Sequence, residues 1–348
     1  MKNYSSLTAV VIAAALTVTS ATSAFALPRS DPNEKSYEQQ ISDIVSQSTP
    51  IDVDSSDVPA VSKNGIFESD GDVPVLIPSD SSAPIEIRPD NDSPISSLKI
   101  FLDHRISNDG VLTENGTVVF GGHELSQTIE PTEEGVRINT VIPSERGPEE
   151  VRHRLHLPAG FSLVTGNELE AMTPENSKTK ALKGVFVLNS DNQLVGGVSA
   201  PWAVDSEGTP VATYYSVEGD TIVQHIDHKG HNLSYPVVAD PWLGFNLIAS
   251  AKWRYRGKGW TLMVSPTKWA RVNAPGYAVG VAGWNELYKK YKNKGLNKNL
   301  GGMKKQYICH QQFAFWKTTW NLDEWRPNVS YAQTVNAKCN PGGGKIID

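Results

Sequence analysis

Apolar and polar residues follow each other in short runs through the middle of the chain, from about residue 98 to residue 240. The segment VFVLNSDNQLVGGVSA, from Val185, has a strand-like run, a polar turn and a second strand-like run. The segment VATYYSVEGDTIVQHID, from Val211, repeats this form around a Glu-Gly-Asp turn. Strands at this spacing predict an antiparallel β-sandwich or barrel over residues 96–240, with a short helix only in TGNELEAM, from Thr165.

The pattern becomes helical in the C-terminal part of the chain. A hairpin comes first, in SAKWRYRGKGWTLMVS, whose Arg-Gly-Lys-Gly turn separates two strand-like runs. Apolar residues then recur every three or four positions, as on one face of a helix: Val281, Trp284, Leu287 and Tyr291. Gly295 follows where such a helix would end, and a second helix is expected from about Met303. We therefore predict a small α+β domain over residues 244–348.

Residues 27–95 are rich in Asp, Ser and Pro and contain few aromatic residues. A segment of this composition buries too little apolar surface to offset the entropy lost on ordering. We therefore expect an acidic disordered linker between the N-terminus and the β-rich domain.

The first 26 residues have the pattern of a signal peptide. Lys2 precedes an apolar run, and Ala24-Phe25-Ala26 has the small-x-small form of a cleavage site, so we expect cleavage after Ala26. The strongly apolar part, residues 7–18, is too short for a hydrocarbon layer of about 30 Å. No later segment is apolar enough to span a membrane, so we expect a protein that is secreted or associated with the cell wall.

Charge divides the chain far more sharply than its net charge of −6 suggests. Residues 244–348 contain 17 Lys and Arg against four acids, Glu286, Asp323, Glu324 and Asp348, which gives a net charge of +13. Residues 1–243 have a net charge of −19. This asymmetry predicts an anionic partner for the basic part, or an acidic part that contacts it inside the molecule and masks it.

The basic part contains both cysteines of the chain, Cys309 and Cys339. Thiols of exported proteins tend to form disulfides, and each of these cysteines has only the other as a partner. Closing a loop of this length stabilises a fold by about 3 kcal/mol. Helical spacing places Cys309 on one face with Phe313 and Trp316, and we expect that face to meet the core.

Cys309 is followed by His310, which raises the question of a nucleophile and its base. Neighbouring side chains on a helix point about 100° apart, so the disulfide is the better interpretation of the cysteine. His310 remains a weak candidate for a general base in phosphodiester or glycoside hydrolysis, together with Arg326 and with Glu286 as an acid. The alternative is a half-buried histidine that orders the helix, with Arg326 paired to Asp323 at the surface.

The motif HIDHKGH places His225, His228 and His231 three positions apart, a spacing that invites a zinc interpretation. On a strand this spacing puts neighbouring histidines on opposite faces, and Lys229-Gly230 has the composition of a turn. We therefore expect a solvated hairpin end, no metal site and no cofactor.

Lysines concentrate within one stretch of the basic part and are interleaved with tyrosines. The predicted anion-binding set is Lys289, Lys290, Lys292, Lys294, Lys304 and Lys305. Basic residues with aromatics also bind single-stranded nucleic acid. Outside a cell, however, envelope phosphates, acidic lipids and acidic glycans are the more available polyanions, so nucleic acid is the less favoured partner. A solvated lysine-rich surface without a partner is the alternative.

The border between the two charge regions is YPVVADPW, residues 235–242. Asp240-Pro241 is a natural strand terminator. An extended segment between two oppositely charged domains is also a site where a protease could separate them, so Asp240 is a candidate processing position and the β-rich domain a candidate pro-region.

Several C-terminal motifs resemble one family. The segments WTLMVSPTKWAR, WNEL, QYICHQQFAFWKTTWNLDEWRP and KCNP, in this order, resemble exported actinobacterial proteins catalogued as domain of unknown function 2599. The resemblance covers about residues 250–341 and implies export, the domain boundary and paired cysteines. The family has no established activity, so the resemblance implies no catalytic residue.

These observations favour a secreted, non-enzymatic protein whose cationic C-terminal domain binds the anionic cell envelope. An antibacterial effector masked by its acidic region is one form of this hypothesis. The alternatives are a secreted hydrolase or nuclease with a site around His310, and a non-catalytic envelope scaffold.

Overall fold

Antiparallel β-sheet makes up most of the described chain, in two large sheets and a small one. The structure is a computed structural model that describes residues 35–49, 59–61, 65–69, 71–89, 95–172, 182–273 and 276–343. The predicted signal peptide and its cleavage site after Ala26 lie outside the described residues. From Ser36 onward the described residues form one compact unit. Within these ranges, no helix is both long and apolar enough to cross a membrane.

The first large sheet has eight described strands, and all its neighbouring strands are antiparallel. In spatial order the strands are β1 (Ala60–Val61), β2 (Ile66–Ser69), β3 (Val75–Pro78), β4 (Ile85–Ile87), β5 (Leu98–Phe101), β10 (Glu150–His156), β16 (Thr221–Asp227) and β15 (Ala212–Glu218). The hairpin of β15 and β16 is the one predicted around the Glu-Gly-Asp turn. The sheet therefore joins strands of the predicted middle domain to strands of the acidic N-terminal stretch.

The second large sheet has ten described strands, again antiparallel. Its main path is β11 (Ser162–Thr165), β12 (Val185–Leu188), β13 (Leu194–Val198), β18 (Trp242–Gly244), β9 (Gly135–Ile142), β8 (Ser126–Thr132), β7 (Val118–Phe120) and β6 (Val111–Leu112). Strand β17 (Val237–Ala239) pairs with both β9 and β14 (Ala203–Val204). Helix α2 (Gly166–Ala171) follows β11 and begins with a capping box at Thr165, as TGNELEAM predicts.

One hydrophobic core lies between the two large sheets. It contains Ile77, Ile87 and Ile100 from the first sheet together with Phe120 and Ile138 from the second. Strand β10 shows the period of two that such a core imposes, because every second residue is buried and those between are exposed or half-buried. The predicted antiparallel β-sandwich is confirmed.

The expected disordered linker over residues 27–95 is wrong for the part of that range that the structure describes. Strands β1 to β4 belong to the first sheet, and helix α1 (Tyr37–Ser48) packs Ile41 and Val45 against Val119, Val141 and Val238 of the second. The two sheets supply the apolar surface that the segment lacks, so single isoleucines and valines at alternate positions are sufficient for it to order.

The C-terminal module, which is residues 248–343 of the described chain, combines the small sheet with four helices. Its strands are β19 (Ile248–Tyr255), β20 (Trp260–Pro266) and β21 (Trp320–Asp323), in this order, and its helices are α3 (Lys268–Val272), α4 (Tyr277–Tyr291), α5 (Leu300–Phe313) and α6 (Tyr331–Asn336). Apolar residues of α4 and α5 pack on one face of the sheet, as Leu287 and Tyr307 do against Leu262 and Trp320. The predicted α+β domain with two main helices is confirmed.

Cys309 and Cys339 form a disulfide with a Cα–Cα distance of 5.4 Å, which confirms the predicted pair. It connects the last turn of α5 to the segment after α6. The expectation that Phe313 and Trp316 share the buried face of Cys309 is wrong, because they are 46% and 64% exposed. Helix α5 ends at Phe313, so Trp316 does not continue the helical face.

The sandwich and the C-terminal module share a second core. Trp269 and Val279 of the module pack with Phe186, Leu188 and Trp242 of the second sheet. The indole of Trp269 lies so close to Gly244 that a Cβ atom there would be 2.3 Å from its Cγ. The Glu134 carboxylate accepts hydrogen bonds from the backbone N–H groups of Lys268 and Trp269, at 2.6 and 3.3 Å. The two parts are thus joined by apolar packing and by a carboxylate at the start of α3.

Candidate functional site: the cationic surface of the C-terminal module

His310, the first catalytic candidate, is inside the module and not at a cleft. It is 4% exposed, its ring stacks near Trp320, and its Nδ1–H donates to the carbonyl oxygen of Gln306 at 2.7 Å. Burial lowers the pKa of His310 to about 4, although the hydrogen bond to Gln306 opposes that shift. The ring is therefore neutral at physiological pH and holds one helix turn together.

Glu286 lies on α4 and fastens that helix to the start of β19. Its carboxylate accepts the backbone N–H of Leu247 at 2.8 Å and that of Ile248 at 3.2 Å, and it pairs with Lys290 at 3.0 Å. Burial raises the pKa of Glu286, and Lys290 and the two N–H groups lower it in part. Both carboxylate oxygens are thus occupied by partners within the module.

Arg326 forms a buried ion pair with Asp323, from Nε to Oδ2 at 2.5 Å. Asp323 also accepts the hydroxyl hydrogen of Thr261 at 2.5 Å, and Arg326 Nη1 donates to the carbonyl oxygens of Asn340 and Pro341. The sequence predicted, as an alternative, that Arg326 pairs with Asp323 at the surface. The pairing is confirmed, but the predicted surface location is wrong because both side chains are buried.

The three catalytic candidates therefore do not form a reactive group. His310, Glu286 and Arg326 are each bound by partners of their own, and each is at least largely buried. A general base has to reach the proton of a substrate, which these contacts prevent. The structure assigns structural roles to all three.

The predicted anion-binding lysines lie where α4 ends and α5 begins, and we name this set the lysine corner: Lys289, Lys290, Lys292, Lys294, Lys304 and Lys305. Lys289, Lys292 and Lys294 are exposed, whereas the other three are half-buried. Lys305 Nζ donates to Asn328 Oδ1 at 2.7 Å, and Lys294 Nζ lies 5.2 Å from the ring centroid of Tyr291. Cations near a helix C-terminus interact favourably with the helix dipole. Lys289 and Lys290, in the last turn of α4, therefore also stabilise that helix.

One of the three described acids of the module, Glu286, pairs with a lysine of the corner, Lys290. Asp323 pairs with Arg326 instead. Glu324 is half-buried. Within the described residues, Glu286 thus offsets the charge of Lys290, while Lys292 and Lys294 remain exposed cations of the corner.

A second cationic region is the hairpin tip, which we define as residues 254–260 between β19 and β20. It carries three basic side chains, Arg254, Arg256 and Lys258, with Tyr255 and Trp260. Tyr255 is 59% exposed and Trp260 is 48% exposed. Sequence reasoning found the hairpin and missed this surface. The alternation of aromatic and basic residues in WRYRGKGW was the signal that could have revealed it.

The histidines of HIDHKGH do not converge. His225 stacks on Tyr214 and hydrogen-bonds Ser216, whereas buried His228 contacts the Tyr235 hydroxyl and the Pro148 carbonyl oxygen. His231 pairs with Asp227. Within the described residues, no group of three metal-ligating side chains comes together.

Asp240, the candidate processing position, is fully buried. It lies between β17 and β18, which both pair with β9, and its carboxylate accepts the backbone N–H of Trp202 at 3.1 Å. Burial raises the pKa of Asp240 to about 7. A protease needs an extended, accessible segment, so cleavage here requires two strands to leave the sheet. The processing prediction at Asp240 is not compatible with this folded state.

Part of this chain is similar to mycobacterial proteins that are named as uncharacterized. Three mycobacterial proteins are 31% identical to it over 102 residues: the uncharacterized protein Mb0487 of Mycobacterium bovis and the uncharacterized proteins MT0495 and Rv0477 of Mycobacterium tuberculosis. The similar region is 28% of this chain and 66% of each relative, just under two thirds of the relatives' length. Residues 248–342, which coincide with the C-terminal module, match the family described as "Protein of unknown function (DUF2599)", in agreement with the resemblance of their motifs.

Proposed function

We propose that this is an exported protein whose C-terminal module binds anionic polymers or lipids of the cell envelope through the lysine corner. The observation that carries the proposal is the internal use of the module's acids. Because the carboxylates of Glu286 and Asp323 are bound by partners within the module, the exposed Lys292 and Lys294 present positive charge to solvent.

Export is supported by two features of different origin. The first 26 residues have the charge and hydrophobicity of a signal peptide. Both cysteines of the chain form one disulfide, which persists in oxidising compartments and is rare in a reducing cytoplasm.

Among the described residues, the apolar core that joins the acidic sandwich to the module lies away from the lysine corner. The shared core uses α3 and the first part of α4, whereas the lysine corner begins at the other end of α4. A helix of 15 residues is about 22 Å long, which exceeds the screening length of about 8 Å at physiological salt. We therefore propose that the whole chain is able to bind; masking of the lysines by the acidic region and an antibacterial role stay predictions.

The test uses the full chain with polyphosphate, a soluble polyanion that offers charge and no apolar phase. The double variant Lys292→Gln/Lys294→Gln should weaken binding by about fivefold for each lysine removed, because each cation near an anionic surface contributes about 1 kcal/mol. Binding should also weaken steeply with added salt.

Lys183→Gln/Lys229→Gln is the matched control, since it removes the same charge from the sandwich. The control should bind like the unaltered protein. Equal losses in the two double variants would show that net charge alone governs binding and would remove the lysine corner as a site.

A further inference from the structure

The hairpin tip combines exposed aromatic rings and cations on a protruding part of the module. Tyr255 and Trp260 are cross-strand partners whose ring centroids are 5.7 Å apart. At Gly257 a Cβ atom would have no neighbour within 4 Å among the described residues, so the turn projects into solvent. Two exposed aromatic rings in contact form an apolar patch, and such patches on a protein surface can mark an interaction site.

The tip is positively charged and held in place. Lys258 Nζ lies 5.5 Å from the ring of Trp325, and the backbone of Gly259 approaches the same indole, whose Cδ1 would be 2.8 Å from a Cβ atom there. The backbone N–H of Glu324 donates to the Trp260 carbonyl oxygen, which ties the tip to the segment after β21. Arg254 and Lys258 are exposed, and packing on Trp325 orders the turn before it meets a partner.

The geometry of the rings favours a lipid surface over a sugar. Tyr255 and Trp260 meet at 76°, edge to face, so the two rings form no common flat platform on which a sugar ring could stack. Rings with an apolar body and one polar group are favoured at the boundary between lipid headgroups and acyl chains. Basic residues beside them are attracted to anionic headgroups.

We propose that the hairpin tip inserts into the interface of an anionic phospholipid bilayer. Anionic phospholipid is thereby identified as the partner of the cationic module. The inference rests on the proposed function, because the lysine corner would supply the longer-range attraction. Tyr255 and Trp260 enter the headgroup boundary, while the exposed Arg254 and Lys258 contact lipid phosphates.

The experiment measures co-sedimentation of the full chain with equimolar phosphatidylglycerol and phosphatidylcholine vesicles, with pure phosphatidylcholine vesicles, and binding to polyphosphate. Tyr255→Ala/Trp260→Ala should lower binding to the anionic vesicles on the order of tenfold, since both rings lose their burial in the interface. The same variant should bind polyphosphate as the unaltered protein does. Arg254→Gln/Lys258→Gln should weaken binding to both partners.

Trp316→Ala is the matched control, because Trp316 is an exposed tryptophan of the same module outside the tip. It should keep the vesicle binding of the unaltered protein. Thermal unfolding of each variant establishes that it is folded, which the exposure of the replaced rings leads us to expect.

The outcomes separate the two proposals. If the aromatic variant binds anionic vesicles normally, or if Trp316→Ala loses as much, the tip is not the membrane contact while the proposed function stands. If the unaltered protein binds neither vesicles nor polyphosphate, the proposed function fails and this inference with it. Concentration-dependent self-association that the tip variant abolishes would instead identify a second copy as the occupant and overturn the lipid assignment.

Discussion

Three buried ionisable side chains make the stability of this protein depend on pH in opposite directions. Burial lowers the pKa of His153 and of His310 to about 4, and it raises the pKa of Asp240 to about 7. The unfolded histidines bind a proton near pH 6.5, so they reduce stability as the pH falls from about 6.5 to about 4. Asp240 stays protonated in the folded state while its unfolded form ionises, so it reduces stability as the pH rises from about 4 to about 7.

His153 offers the clearest test at this scale. Its side chain lies within the sandwich, is 0% exposed, and neither ring nitrogen has a hydrogen-bond partner among the described residues. His153→Leu removes a group that must be neutral when buried. Between pH 7 and pH 5 the unaltered protein should lose about 2 kcal/mol more unfolding free energy than this variant, as measured by urea denaturation.

The control for His153 is His123→Leu, which replaces an exposed histidine of the same sandwich. It should follow the pH dependence of the unaltered protein. A His153→Leu variant whose stability falls with pH as steeply as that of the unaltered protein would contradict the buried, neutral state of this ring.

The types of the residues in the sequence predicted which side chains pair with each other better than they predicted whether those side chains are buried. They separated Cys309 from His310 and paired Cys309 with Cys339, because compartment and helical geometry are properties of the residues themselves. They also paired Arg326 with Asp323. The burial of that ion pair was not predictable, since the C-terminal carbonyl oxygens that surround Arg326 come from residues 340 and 341.

At the scale of elements, the contact that joins α4 to β19 depends on Glu286. Replacing this carboxylate by an amide places NH2 hydrogens against backbone N–H groups and removes the ion pair with Lys290. Glu286→Gln should therefore lower the unfolding free energy by about 1 to 3 kcal/mol in denaturant titrations at neutral pH.

Glu324→Gln is the matched change, because Glu324 is a half-buried acid of the same module. It should have a much smaller effect on stability. Equal effects of the two replacements would mean that the contacts of Glu286 with Leu247 and Ile248 do not hold α4 on the sheet.

Elements were predictable where one segment contained a whole periodic signal. Helix α4 was predictable because its apolar residues recur every three to four positions and Gly295 follows shortly after its last residue, Tyr291. Helix α1 and strands β1 to β4 were not, because their few apolar residues gain a core only from the two large sheets. Trp316 was assigned to a helical face because the sequence does not show that α5 ends at Phe313.

At the scale of the whole molecule, the sandwich and the module belong to one compact unit and share a hydrophobic core. A fragment of residues 246–348 would expose Trp269 and Val279, which the second sheet buries in the full chain. The fragment should be less stable by about 3 to 5 kcal/mol, in proportion to the apolar surface exposed. Its thermal unfolding and its binding of a hydrophobic dye measure this loss.

Residues 36–245, produced separately, provide the control. Added to the fragment, they should restore part of its stability and reduce dye binding, because they carry Phe186, Leu188 and Trp242. A fragment as stable as the full chain would show that the second core does not contribute to the stability of the module. The module would then be an independently folding domain.

The sequence by itself determined the strand and helix periods, the disulfide, the charge asymmetry and the resemblance of the C-terminal motifs. These follow from short-range order or from residue identity. Only the tertiary structure decided that the acidic N-terminal stretch is part of the sheets, that Asp240 is buried, and that His310, Glu286 and Arg326 serve the fold. It also showed that Tyr255 and Trp260 remain exposed. Exposure and burial depend on surfaces supplied by distant segments, so no pattern within one segment can specify them.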